Sequence, residues 1–207
     1  SAKQHQINHW LKDEQVGIAL LAETNQHWPL VPEGQRRTDR MRNFSRVGHV
    51  SAMASNIHFS GRNQPLGSSF RYGGCVASVF NDVAHASKEQ GSDPTGWRRW
   101  AYIRIRGKKI RTDNRAHLTP APSFSHDLVV IAAYRPNPPG TGESTVWAQH
   151  RVYFNSIGRR VDPREAFVDD LSKEIVKWRN SGWEVILGLD ANEDLSAMDS
   201  KSFRYKL

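Results

Sequence analysis

The chain has 207 residues, 38% of them hydrophobic, with 7 Trp and 8 Phe, which is enough to bury a substantial core and too apolar for a disordered segment. Lys and Arg number 29 against 21 Asp and Glu, a formal net charge of +8; this favours a polyanionic partner such as nucleic acid, although basic globular proteins without one are common. The lone cysteine, Cys75, excludes an intrachain disulfide or cysteine zinc cluster and favours an intracellular setting, while the lack of any apolar stretch near the roughly 20 residues that cross a bilayer, and of a signal-peptide core, predicts a soluble chain with no membrane partner.

Ile7, Trp10 and Leu11 fall at helical spacing and predict a short helix over 6–15 with these residues on its buried face. The unbroken run Gly17 to Ala22 predicts a strand covered on both faces, delivering Glu23 at its end. Residues 26–46 are polar, broken by Pro29 and Pro32, and carry Arg36, Arg37, Arg40, Arg42 and Arg46. That cluster is either a solvated loop or a phosphate-contacting surface. Short strands are expected between Val47 and Phe80, the last over 74–80, followed by a polar loop over 85–96.

Ile103 and Ile105 alternate with Tyr102, Arg104 and Arg106 and predict a half-buried strand. Trp97 and Trp100 nearby suit either base stacking or the core. Leu128 to Ala133 is a second fully buried strand, ending on Tyr134. A helix is expected from Thr145 to Ile157, stopped by Gly158. A longer one opens at Asp162 as N-cap with Pro163 in its first turn, and buries Phe167, Leu171, Ile175 and Trp178. The run after Gly182 predicts a last buried strand, at whose end Asp190 and Asn192, two residues apart on extended chain, point to one side.

Three buried strands therefore end on Glu23, Tyr134 and Asp190. Polar residues at strand ends converge on one cleft in α/β architectures, so Glu23, Tyr134, Asn137, Asp190 and Asn192 are candidates for a shared site. Its donors would be oxygen and amide groups suited to Mg²⁺ or Mn²⁺ and not to zinc or copper. An Asp or Glu just after a strand also serves as a turn former or helix cap.

Glu23 within Leu20-Leu21-Ala22-Glu23-Thr24-Asn25, the pair Gly73-Gly74 before a strand, Tyr134-Arg135-Pro136-Asn137, and Asp190-Ala191-Asn192 resemble, in order and spacing, the endonuclease/exonuclease/phosphatase (DNase I-like) superfamily. Asp93-Pro94-Thr95-Gly96-Trp97-Arg98-Arg99-Trp100 and Asp162-Pro163-Arg164 look most like its retroelement-type endonuclease domains. The resemblance implies an α/β fold, a sandwich of two mixed β-sheets flanked by helices. It implies an Mg²⁺- or Mn²⁺-dependent phosphodiesterase or endonuclease that nicks DNA by hydrolysis. Glu23 would ligate the metal, and Asp190 with Asn192 would orient or activate the attacking water. Tyr134 and Asn137 would support the phosphate, and Arg71 and Arg135 are either further phosphate contacts or surface arginines.

The chain departs from that family's pattern in three ways. The motif is usually Gly-Asp-X-Asn, whereas Gly188 here stands one residue earlier. The family's first strand, with its metal-holding Asn, and its terminal Asp-His pair find no counterpart before Glu23 or after Glu193; Ser125-His126-Asp127 is no substitute, being in the wrong order, and reads as a turn entering the sheet. The expectation is thus one domain over residues 1–207, an incomplete copy of the fold, with poor or absent activity. A phosphatase of inositol phosphates or other phosphomonoesters, and a non-catalytic nucleic-acid-binding remnant, are the alternatives.

Overall fold

The structure, a computed structural model, describes residues 6, 9–11, 13–31, 48–55, 71–107, 126–139, 142 and 145–193. Among these, β1 (Ile18–Ala22), β2 (His49–Ala54) and β3 (Cys75–Phe80) form a sheet in the order β1-β3-β2. Strands β4 (Ser87–Ser92), β5 (Trp100–Ile105), β6 (Leu128–Tyr134) and β7 (Glu184–Asp190) form a second, in the order β4-β5-β6-β7. The expected α/β class with two sheets is present. Only the four-stranded sheet is mixed, through the parallel pairing of β6 with β7; the three-stranded sheet is antiparallel throughout.

The sheets face each other, β1 lying over β6 and β7 and β3 over β5 and β6. Between them sits a core of small and branched side chains, among them Ala52, Ala77, Val79, Ala101, Ile103, Val130 and Ala132. Strand β6 is apolar without alternation because its second face is also covered. There Val129, Ile131 and Ala133 meet Phe167, Leu171 and Trp178 of α3 (Pro163–Asn180). Each such large side chain, fully buried, contributes about 1.5–3 kcal/mol.

Helix α3 begins as its sequence dictates. The Asp162 carboxylate accepts hydrogen bonds from Arg164 N at 2.7 Å and Glu165 N at 3.3 Å, and Pro163 follows it. Before it come α1 (Asn81–His85) and α2 (Val146–Ser156), the latter capped by Thr145, whose hydroxyl accepts from Ala148 N at 3.2 Å. No helix of the described residues is long and apolar enough to cross a membrane.

Four expectations need correcting. Strand β1 is not covered on both faces: it is mostly half-buried and, among the described strands, lies at the edge of its sheet. Strand β7 is likewise at an edge among the described strands, and Ile186 on it is 44% exposed. The polar stretch expected as a loop over 85–96 contains β4, an edge strand whose only partner among the described strands is β5 and which therefore needs no apolar stripe. In the N-terminal helical segment Leu11 is buried against Ala19 and Phe80, but Trp10 is 58% exposed, so the buried face is narrower than its spacing implied. Ile7 and the arginine cluster at 36–46 lie outside the described residues.

Gly188 has a packing role. A Cβ there would stand 2.8 Å from Leu20 Cδ1 and 2.9 Å from Leu20 Cβ. The glycine lets β1 close on β7 in mid-strand, which accounts for its position ahead of Leu189 and Asp190 without invoking a turn.

Candidate functional site

Because β6 and β7 run parallel and in register, their C-terminal ends lie side by side, Tyr134 opposite Asp190. Tyr134 belongs to the inter-sheet core. Asp190 shares its face of β7 with Gly188, which meets Leu20 of β1. Glu23 follows the last residue of β1, whose partner Ala22↔Cys75 opens β3. The ends of strands from both sheets thus deliver one phenol and two carboxylates to the same edge of the sandwich.

Electrostatics tie these groups together. The Tyr134 phenol is pushed up to about 12, first by burial; a side-chain hydrogen bond with Asn192 works the other way, and the negative charges of Glu23 and Asp190, with Cys75, raise it further. Asp190 also helps push up the buried Cys75 thiol, after burial itself. The structure therefore brings together Glu23, Tyr134, Asp190 and Asn192, four of the five residues expected there. Tyr134 stays a neutral hydrogen-bond donor through the physiological range.

Asn192 reaches the group by a different route from the one expected. It is not extended but left-handed, with φ 46°. Its backbone N–H donates to Asp190 Oδ1 at 3.1 Å, closing a turn, and its Nδ2 donates to the Arg135 carbonyl at 2.7 Å. The pair is held by folding back, not by alternation along a strand.

Two further left-handed residues stand at the end of β1, Glu23 (φ 53°) and Asn25 (φ 52°). Asparagine tolerates that conformation; for a glutamate it costs roughly 1 kcal/mol. Asn25 clamps the segment before β3: its N–H donates to the Gly73 carbonyl at 2.7 Å, its Oδ1 accepts from Gly73 N at 2.9 Å, and its carbonyl accepts from Arg71 N at 3.2 Å. Gly73 itself has φ 77°, and a Cβ on it would lie 3.2 Å from two Tyr134 ring carbons. Gly73 thus makes room for the tyrosine, and Gly74 for Thr24 and the Ala54 carbonyl, 2.9 and 3.0 Å from its would-be Cβ, links between sequence blocks that spacing alone does not reveal. Asn25, inside a block already singled out, was missed as a positioning residue.

The remaining candidates are placed differently. Asn137 follows Pro136, and among the described residues no hydrogen bond joins its side chain to the others; its buried Oδ1 has no partner. Arg135 is not a surface arginine: it is 4% exposed, its Nη1 lies 3.2 Å from Glu193 Oε2, and its N–H donates to the Asp190 carbonyl at 3.0 Å. Its guanidinium braces the end of β7. Arg164, unremarked in the sequence beyond its place in the Asp162-Pro163 motif, donates from Nη1 to the Pro136 carbonyl at 2.6 Å. Burial lowers its pKa, as does neighbouring Arg135. Arg71 has its pKa lowered by burial.

Among the described residues no three His, Cys, Asp or Glu side chains gather as a metal cluster. Two carboxylates do act together on Tyr134, and a magnesium ion is commonly held by one or two carboxylates with water completing its shell. The all-oxygen donor set fits a hard cation and not zinc.

Behind the site lies a buried ion triad. Arg99, 3% exposed, donates from Nε to Asp93 Oδ2 at 2.6 Å and from Nη2 to Asp170 Oδ2 of α3 at 2.9 Å. Its guanidinium lies 4.9 Å from the centre of the Trp100 ring. Its carbonyl accepts from Tyr134 N at 3.0 Å, so the triad fixes the backbone next to the phenol. Trp97 and Trp100 are 4% and 0% exposed, which places both in the core and rules them out as base-stacking surfaces. Neither a protein-family model nor a curated protein matches the chain.

Proposed function

We propose that the chain is an Mg²⁺- or Mn²⁺-dependent phosphodiesterase of the DNase I-like kind that nicks DNA by hydrolysis. The observation that supports it best is the convergence of Glu23 and Asp190 on the Tyr134 phenol, at the ends of strands from both sheets. Glu23, with Asp190 beside it, would hold the cation, which supplies charge stabilisation at a phosphoryl oxygen. Asp190, whose carboxylate has no cationic partner among the described residues, accepts the proton of the attacking water. Asn192, fixed by Asp190 and the Arg135 carbonyl, keeps that carboxylate oriented. Tyr134, a phenol that is neutral at physiological pH and that burial pushes further from ionisation, donates to the phosphate as negative charge develops there. Asn137 and Arg71 would contact the phosphate from the rim. The net charge of +8 favours a polyanion over a small phosphomonoester.

The test is an activity panel on the purified chain with supercoiled plasmid, inositol phosphates and a chromogenic phosphomonoester. Slow nicking is expected with Mg²⁺ or Mn²⁺, poor as the departures from the family pattern imply, and none with EDTA, with no phosphate released from the monoesters. Phosphate release without nicking would replace this reading with a phosphatase. Salt-sensitive DNA binding without hydrolysis, unchanged in Glu23→Gln, would leave a nucleic-acid-binding protein that does not catalyse.

A further inference from the structure

On the loop between β4 and β5, Arg98 is an exposed residue held in the left-handed region, φ 58°. Its neighbours on both sides are anchored inward. Trp97 is buried against Phe154 and Tyr153 of α2, ring centroids 4.2 Å away in each case. Arg99 is locked by Asp93 and Asp170, and Thr95 closes the same loop, its N–H donating to Asp93 Oδ1 at 3.0 Å. With residues 97 and 99 both drawn into the core, the residue between them is driven outward at a conformational cost a glycine would not bear. Trp100 pairs with Ala133 and the Arg99 carbonyl accepts from Tyr134 N, so Arg98, on the loop entering β5, stands at the same end of the four-stranded sheet as Tyr134. Among the described residues it has no ion-pair partner, unlike Arg99, Arg104, Arg135 and Arg159.

We propose that Arg98 is a substrate-positioning residue, whose guanidinium binds a backbone phosphate of duplex DNA flanking the one at Tyr134. The inference rests on the nuclease reading for its substrate class. A cation on an anchored loop, retained in a strained conformation and with no ion-pair partner among the described residues, is a preorganised contact for a phosphate oxygen. A phosphomonoester has no flanking phosphate, so this contact selects a polymer.

The experiment measures binding of the full chain to a fluorescent 20-base-pair duplex across a salt series without divalent metal, and nicking in Mg²⁺ separately. Variants are Arg98→Ala, Arg98→Gly, Arg98→Lys and, as a control for lost charge, Arg106→Ala, an exposed arginine at the opposite end of β5. Each phosphate contact contributes about 0.9 to the slope of log K against log salt. Arg98→Ala and Arg98→Gly are expected to lower the slope by about that amount and weaken binding several-fold near 0.1 M salt. Lysine should restore most of the slope, and Arg106→Ala should leave it nearly unchanged. Arg98→Gly should also melt no lower than the unmodified chain, since it releases backbone strain, so weaker binding cannot be charged to unfolding. Equal slopes for Arg98→Ala and Arg106→Ala, or no DNA binding by the unmodified chain, would overturn the inference. Weakened binding in Arg98→Ala without any nicking by the unmodified chain upholds the contact and defeats the hydrolytic reading alone.

Discussion

The four-stranded sheet carries a carboxylate at each of its ends, and the two are treated oppositely. At the start of β6, Asp127 accepts hydrogen bonds from Lys88 Nζ at 2.9 Å, Arg104 Nε at 2.8 Å and Gly107 N at 3.0 Å. Burial alone would push its carboxyl up; these hydrogen bonds and the Lys88 charge together outweigh that and bring it down to about 2. At the far end of β7, the Asp190 carboxylate accepts, among the described residues, only from the Asn192 N–H, with a second carboxylate and a buried phenol beside it. Four of the six left-handed non-glycine residues described, Glu23, Asn25, Arg98 and Asn192, stand at this same end. A stabilising carboxylate is surrounded by donors; one kept for a reaction is left with acceptor capacity to spare and strained backbone around it. That contrast is the reason the proposed chemistry is placed at this end of the sandwich.

Substitutions at the two ends separate the residues that hold the fold from those proposed to react. The largest loss of stability is expected from Arg99→Ala, which strands Asp93, a carboxylate fully buried at the loop supporting the site. Removing one partner of such a pair costs about 3–5 kcal/mol, measured by denaturant unfolding; a cost below about 1 kcal/mol would mean the triad does not anchor the loop. Next, Tyr134→Phe should lower kcat on the order of 10²-fold, the effect of deleting one donor to a developing oxyanion, with KM little changed. Glu23→Gly is expected to raise stability by roughly 1 kcal/mol by relieving a left-handed backbone while abolishing Mg²⁺-dependent nicking. Smallest is Asp127→Asn. Because the folded-state pKa of Asp127 is depressed, its contribution is complete above the ordinary value of 3.8 and disappears as pH falls toward about 2. Melting curves of this variant and the unmodified chain should therefore differ at pH 6 and converge near pH 2.

Much of this arrangement was legible before any coordinates. Asp162-Pro163 and the stripe Phe167, Leu171, Ile175 set α3 because capping and helical spacing are local signals. The apolar run of β6 and the residues at the ends of β1, β6 and β7 were found for the same reason. What stayed hidden depends on neighbours remote in sequence. Strand β4, Ser-Lys-Glu-Gln-Gly-Ser, has no apolar pattern and exists through its pairing with β5. Arg135 read as a phosphate contact or a surface arginine and Arg99 only as part of a motif, since nothing local reports that Asp93, Asp170 and Glu193 accompany them into the interior. The dependence of Tyr134 on a glycine at position 73 likewise joins two distant strands.

The central claim, that Asp190 is kept for reaction and not for stability, is tested most directly by Asp190→Asn, with plasmid nicking and thermal melting measured on the same preparation. The account predicts that Mg²⁺-dependent nicking falls on the order of 10³-fold, equivalent to about 4 kcal/mol of transition-state stabilisation, while the melting temperature holds or rises. Undiminished nicking, or a fall no larger than the fraction of protein unfolded, would contradict it.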